Sequence, residues 1–273
     1  MRPILLFAFA SSLVAAPLAV VRPIISDSEG GAALPASFEY LPGETLFFSC
    51  RVSGFQKTPE EKIHLAYSVQ AFDPKGVPLD ELFKNEVTEE VTPQDREWMP
   101  KIATEVAIPP LIAPGNYKIV VKTEDLVGNT QAELSVPFTV RGHAIEPSDT
   151  LTVRNFHFYR GEDDAQPAEK PSYRAGDAVW AKFDITGFKY GPHNKISISY
   201  GMSILDSSGK VLWTQPEPAK EETESFYPKL YLPAALSIVV QKNTTPGQYT
   251  IVAQVKDAIG GQTTEAKGVF TVE

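Results

Sequence analysis

The stretch APGNYKIVVKTEDLVGNTQAELSVPFTV, residues 113–140, is written a second time as TPGQYTIVAQVKDAIGGQTTEAKGVFTV, residues 245–272. The offset is a constant 132 residues, and eleven positions are identical. No other feature limits the fold as much, because a chain that repeats a segment of this length builds the same element twice. The match continues backwards. LPGETLFFSCRVSGF (41–55) aligns with RAGDAVWAKFDITGF (174–188), and IHLAYSVQAFDPKG (63–76) with ISISYGMSILDSSG (196–209), at an offset of 133. One insertion or deletion therefore lies between Gly76 and Ala113. The two units are residues 20–141 and 150–273, joined by the short polar segment RGHAIEPSD. A period this long exceeds any solenoid repeat. It marks a duplicated whole domain, and 273 residues matches the length expected of two.

Within each unit the apolar residues keep a period of two. Leu46, Phe48, Cys50 and Val52 alternate with Phe47, Ser49, Arg51 and Ser53; Val179, Ala181, Phe183 and Ile185 alternate with Trp180, Lys182, Asp184 and Thr186. One apolar face at this period is a half-buried strand. The next strand carries Ile63, Leu65, Tyr67, Val69 and Ala71, repeated as Ile196, Ile198, Tyr200, Met202 and Ile204. DPKG and DSSG then supply a turn, with Asp as its cap and Gly for positive φ. Tyr117, Ile119 and Val121, and in the copy Tyr249, Ile251 and Ala253, begin the penultimate strand. No window holds a 3.6-residue apolar period. LDELFKNEVTEEV (79–91) comes nearest to a helix and has no counterpart in the second unit. Short strands, frequent turns and 23 prolines predict an all-β chain of two tandem antiparallel β-sandwich domains.

On these residues the chain resembles immunoglobulin-like domains. PGNYKI and PGQYTI are similar to their tyrosine corner, with Tyr117 and Tyr249 opening strand F. The following Asp-x-x-Gly turn and the closing Phe-Thr-Val resemble bacterial Ig-like and fibronectin-III-like modules. The resemblance implies a fold and no activity. Antibody domains pair a strand-B cysteine with one two residues beyond the corner tyrosine; Cys50 stands at the first position, Ile119 at the second, and the copy has Phe183 and Ile251. That disulfide is absent, and Cys50 is expected to be a small buried apolar residue.

The first residues, MRPILLFAFASSLVAAPLAV, carry a basic start, an apolar run and then small residues, the pattern of a secretory leader over residues 1–19, cleaved near Ala16 to Ala19. The run is too short to span a bilayer as a helix, and no second run is long enough. These features predict a bacterial exported protein, periplasmic or extracellular, with no membrane span. Net charge of −9 argues against nucleic acid as a partner.

No catalytic residue, cofactor site or metal site emerges. His64, His143, His157 and His193 share no close ligand spacing. Ser207 and Lys210 form a Ser-x-x-Lys pattern, but inside a hairpin turn rather than at a helix start. Asp125 and Asp257, like Asp73 and Asp206, occupy equivalent turns. One carboxylate per turn falls short of the six to eight oxygens calcium takes, and the residues read as turn formers, with calcium left open. Outward aromatics are the exception. Phe47 and Trp180 sit at one position of the two units, opposite the core face, while Trp98, Trp213, Phe226 and Tyr227 lie in the middle segments that the repeat leaves unlike. These six are the candidate partner contacts, for another protein or a cell-surface polymer. The expected role is a non-enzymatic interaction or structural module. A carbohydrate-binding module is the alternative, and would place coplanar aromatics on one sheet. An enzyme would need His143 or His157 within hydrogen-bond reach of acidic neighbours.

Overall fold

The structure, a computed structural model, describes residues 16–95 and 97–273. The leader expected over residues 1–19 falls largely on residues 1–15, outside the described ones. The described residues form seventeen strands and two short 3-10 turns, with no α-helix. Eight strands lie in the first half: β1 (Ala19–Ser26), β2 (Glu39–Tyr40), β3 (Thr45–Ser53), β4 (Lys62–Phe72), β5 (Phe83–Glu90), β6 (Lys101–Ala107), β7 (Gly115–Asp125) and β8 (Thr130–Val140). The second half holds β9 (Thr152–Tyr159), β10 (Ser172–Tyr173), β11 (Ala178–Thr186), β12 (Ile196–Asp206), β13 (Val211–Thr214), β14 (Ala219–Thr223), β15 (Leu232–Val239), β16 (Gly247–Asp257) and β17 (Gln262–Val272).

Four sheets result. The first half gives a three-stranded sheet, β1-β3-β6, and a five-stranded one, β2-β8-β7-β4-β5. The second gives β15-β11-β9 and β10-β17-β16-β12-β13, with β14 also paired to β12. The orders correspond except that the second half pairs two short strands, β13 and β14, to β12 where the first pairs β5 to β4, and the parallel end pairs recur: Tyr40 opposite Val140, Tyr173 opposite Val272. Residues 79–91, the nearest approach to a helix, contribute strand β5, paired along β4 from Lys62–Glu90 to Val69–Phe83. The second half places β14 on β12 in the same way, from Ile196–Thr223 to Tyr200–Ala219. That counterpart is invisible in the residues themselves.

The chain divides into two compact units. One comprises Met1–Phe38, Thr45–Val106 and Tyr117–Phe138; the other comprises Glu39–Glu44, Ala107–Asn116 and Thr139–Glu273. In the first unit, Leu46, Phe48, Cys50 and Val52 of β3 are buried together with Ile63, Leu65 and Val69 of β4. Their outward neighbours Phe47, Ser49 and Arg51 are half-buried, as the period of two requires. The second unit's core draws Val179, Ala181 and Phe183 from the three-stranded sheet and Ile198, Met202 and Ile251 from the larger one. The apolar faces of both sheets thus meet in one cluster, and removing them from water is the main stabilising term.

The corner tyrosines keep matching environments. Tyr117 stacks on Phe138 at 5.6 Å and Tyr249 on Phe270 at 5.8 Å, both near-parallel. The Tyr249 hydroxyl donates to the Thr245 carbonyl at 2.7 Å, four residues back. Burial, reinforced by Asp73, pushes the Tyr117 phenol up to about 12.

Candidate functional site

The turn aspartates show what chemistry the repeat retains. Asp125 is fully buried, and its carboxylate accepts the backbone N–H of Gln56 at 2.7 Å and of Val127 at 3.0 Å. Asp257 repeats this with Lys189 at 2.9 Å and Ile259 at 3.0 Å. Each carboxylate ties the turn after the penultimate strand to the loop after β3 or β11. Its oxygens are engaged by the protein's own backbone, which accounts for the residue without an ion. Asp73 likewise accepts from Lys75 and Val77, and Asp206 from Ser208 and Lys210. Among the described residues, no cluster of three or more His, Cys, Asp or Glu side chains could hold a metal.

Two histidines reach an acid: His64 Nε2 lies 2.6 Å from Glu86 Oε2 across exposed strands, and His143 meets a shielded one. His143 Nε2 lies 2.9 Å from Asp184 Oδ2, and Asn155 Nδ2 donates to the same oxygen at 2.8 Å. Asp184 stands where the first unit has Arg51, on the outward side of the central strand, and its side chain is 11% exposed. The Tyr231 ring packs edge-on against the His143 ring, 5.5 Å between centroids, and its phenol is pushed up by burial and then by Asp184. Asp184 Oδ2 is thus shared between an imidazole and an amide. The cluster instead holds the segment leading into β9, with help from the Arg154–Glu146 ion pair at 3.3 Å and the Lys189 bond to the Asp149 carbonyl at 2.9 Å. His157, on β9, stands opposite Lys182 in the sheet register.

The six aromatic candidates occupy different kinds of place. Phe47 and Trp180 are half-buried at the centres of the three-stranded sheets, Phe47 opposite Ser26 and Trp180 between Tyr159 and Ser237. Tyr227 is 6% exposed and belongs to the packed interior of its loop. Trp98, Trp213 and Phe226 present 39%, 40% and 50% of their surface. Trp213 lies opposite Ile204 on β13, beside Val211 and Leu212, and all four residues of that edge strand are exposed. Trp98 follows a 3-10 turn closed by Asp95, which accepts from the Thr92 hydroxyl at 2.7 Å, and donates its own N–H to the Asp95 carbonyl.

Phe226 has neighbours that the sequence did not single out. Asn194 donates to the Phe226 carbonyl at 2.6 Å and to that of Ser225 at 3.2 Å, and Tyr190 donates to the Lys229 carbonyl at 2.6 Å. The Ile259 side chain approaches Gly191, and the Ala258 N–H reaches the Ser197 carbonyl. Three loops, after β11, before β15 and after β16, therefore meet at one end of the second unit. Tyr190, Phe226, Leu230 and Ile259 are exposed there. In the first unit Trp98 and Leu126 lie on the corresponding loops and are also exposed. Tyr190 and Ile259 escaped the sequence reading because only the meeting of loops far apart in sequence makes a patch.

A second feature recurs. The outer face of the larger sheet in each unit carries a groove, of about 840 Å³ over Ala66 and Ser68 and about 680 Å³ over Ser199 and Gly201. In the first, Ala66 is flanked across the sheet by Glu86 and Glu124 and Ser68 by Lys84 and Lys122; in the second, Ser199 is flanked by Lys220 and Lys256. The small floor is kept while the flanking charges differ.

No family model and no curated protein matches the chain. Among solved structures it is similar to the C-terminal domain of the Streptococcus agalactiae AgI/II polypeptide BspA, at 12% identity and a TM-score of 0.31, over 93% of this chain and 100% of that one. A TM-score so low assigns neither fold nor activity. No helix among the described residues is long and apolar enough to cross a membrane.

Proposed function

We propose that the chain is an exported, non-enzymatic binding or structural module. It is built from two tandem Ig-like β-sandwiches, residues 20–141 and 150–273, that arose by duplication. The matching strand orders and the recurring tyrosine–phenylalanine stack support the duplication. The observation that carries the binding role is the loop end of the second unit. Tyr190, Phe226, Leu230 and Ile259 leave apolar surface in water, while the backbone beneath them is held by Asn194, Tyr190 and Asp257. Exposed apolar surface on a rigidly held loop cluster marks a contact site for another macromolecule. The partner is another protein or a cell-surface polymer. Capture of surface material by the immobilised wild-type protein, compared with Phe226→Ala and Trp98→Ala, tests the reading. Reduced capture at unchanged melting temperature supports it; full capture by both variants removes these loops from the role.

The grooves favour a second reading, a carbohydrate-binding module. Their linings of amide, carboxylate and ammonium groups around small floor residues suit sugar hydroxyls. Glycan binding that is lost in Ser68→Trp and kept in Phe226→Ala would select it.

A further inference from the structure

The sequence pattern alone leaves the end of the leader anywhere from Ala16 to Ala19, but the fold makes use of residues inside that range. Leu18 is 8% exposed and sits in the core of the first unit, next to Val20 at 9%. β1 pairs with β3 from its first residue, Ala19 opposite Ser53. Ahead of it, the chain crosses Gly54 so closely that a Cβ there would overlap the Pro17 carbonyl and stand 2.9 Å from that of Ala16. Gly54 is also at φ +75, a conformation open to glycine.

The second unit repeats each part. Gly187 has φ +76, and a Cβ on it would overlap the Thr150 carbonyl and stand 2.9 Å from that of Ser148. Leu151 is 6% exposed in the core, and β9 pairs with β11 from Thr152 opposite Thr186. Pro17, Leu18 and Gly54 thus stand 133 residues before Thr150, Leu151 and Gly187, the offset of the repeat itself. Residues 148–151 lie inside the chain, where no export processing removes them. Their equivalents are therefore part of the domain and not of the leader.

We infer that export processing cuts within the first sixteen residues and leaves Pro17 and Leu18 on the mature chain. The inference rests on the export reading and deepens it: the leader ends before the tight crossing at Gly54, and the mature protein begins with the residues that close the core. A cut at residue 19 would remove Leu18, a buried side chain of the first unit whose counterpart Leu151 the second unit keeps in its core.

Intact mass of the protein recovered outside the cytoplasm, after expression of the full chain in a bacterial host, reads the cut directly. The expected mass is that of a chain shortened at its N-terminus and starting at or before Pro17. A mature chain starting at Leu18 or later overturns the inference while leaving export in place. An uncut chain confined to the cytoplasm overturns the export reading, and the inference with it. Purified chains starting at Pro17 and at Val20 give a second measurement independent of export. The Val20 chain is expected to melt at least about 4 °C lower in the transition of the first unit, or to fail to fold; equal melting of the two overturns the structural basis.

Discussion

Asp125 and Asp257 show how one buried carboxylate stands in for a longer network. Each accepts two backbone N–H groups from two loops, so removing the carboxylate leaves both donors unsatisfied. Asp125→Ala and Asp257→Ala are each expected to destabilise by roughly 1–3 kcal/mol, read as a shifted denaturant midpoint. Calcium or a chelator should leave the wild-type midpoint where it is, and a calcium-dependent rise would contradict the assignment. Cys50 is 1% exposed and burial pushes its thiol up to about 12 against the opposing charge of Arg51. It should resist a disulfide reagent at pH 8 in the native protein and react on unfolding; rapid native labelling would contradict its place in the core. Asp80 carries the opposite kind of strain. One of its carboxylate oxygens is buried without a partner, and desolvation raises its carboxyl above the usual range against backbone hydrogen bonds that lower it. A carboxyl raised on folding costs nothing at low pH, where both states are protonated. It lowers stability as pH rises through the carboxylate range. Asp80→Asn should therefore raise the melting temperature at pH 7, with the gain fading below the ordinary carboxylate pKa; a gain independent of pH would point to packing instead.

At the scale of the strand, the legible parts are those with one face buried. β3 and β11 alternate because Leu46 and Val179 face a core while Phe47 and Trp180 do not, and a period of two survives in the residue order. β5 and β13 have no such face. Every residue of β13 is exposed, and β5 is exposed except at Val87, so no alternation marks them and pairing to β4 and β12 alone defines them. The tyrosine corner was legible because it is local: Tyr249 reaches Thr245, four residues away. Tyr249→Phe removes that bond and keeps the stack on Phe270, so it should destabilise by about 1 kcal/mol. Tyr249→Ala should cost more by losing the ring contact as well. Equal midpoints for wild type and Tyr249→Phe would remove the corner from the account. The exposed loop patch was only half legible. Phe226 stood out in an unlike segment, but Tyr190 and Ile259 join it through hydrogen bonds and approaches between loops separated by more than thirty residues, which no local pattern records.

At the scale of the molecule, the proposed architecture is one sandwich written twice. The offset of the repeat, the paired strand orders and the twin crossings at Gly54 and Gly187 all bear on it. Where the copies differ, charge and exposure change while the floor of the fold stays: Arg51 against Asp184, Glu86 and Glu124 against Lys220 and Lys256. On the proposed duplication, a kept core and a varied surface would supply two scaffolds for unlike contacts. The second unit has its own apolar cluster, drawn from Leu151 to Val272, and such a cluster should sustain folding without the first half. The most direct measurement is the denaturant unfolding of residues 142–273 expressed alone, followed by far-UV circular dichroism beside the full chain. The account predicts a β-sheet spectrum and a cooperative transition, with a midpoint that reappears as one of two in the full chain. An unfolded or aggregating fragment, or a full chain that melts in one step unrelated to the fragment's, would contradict it.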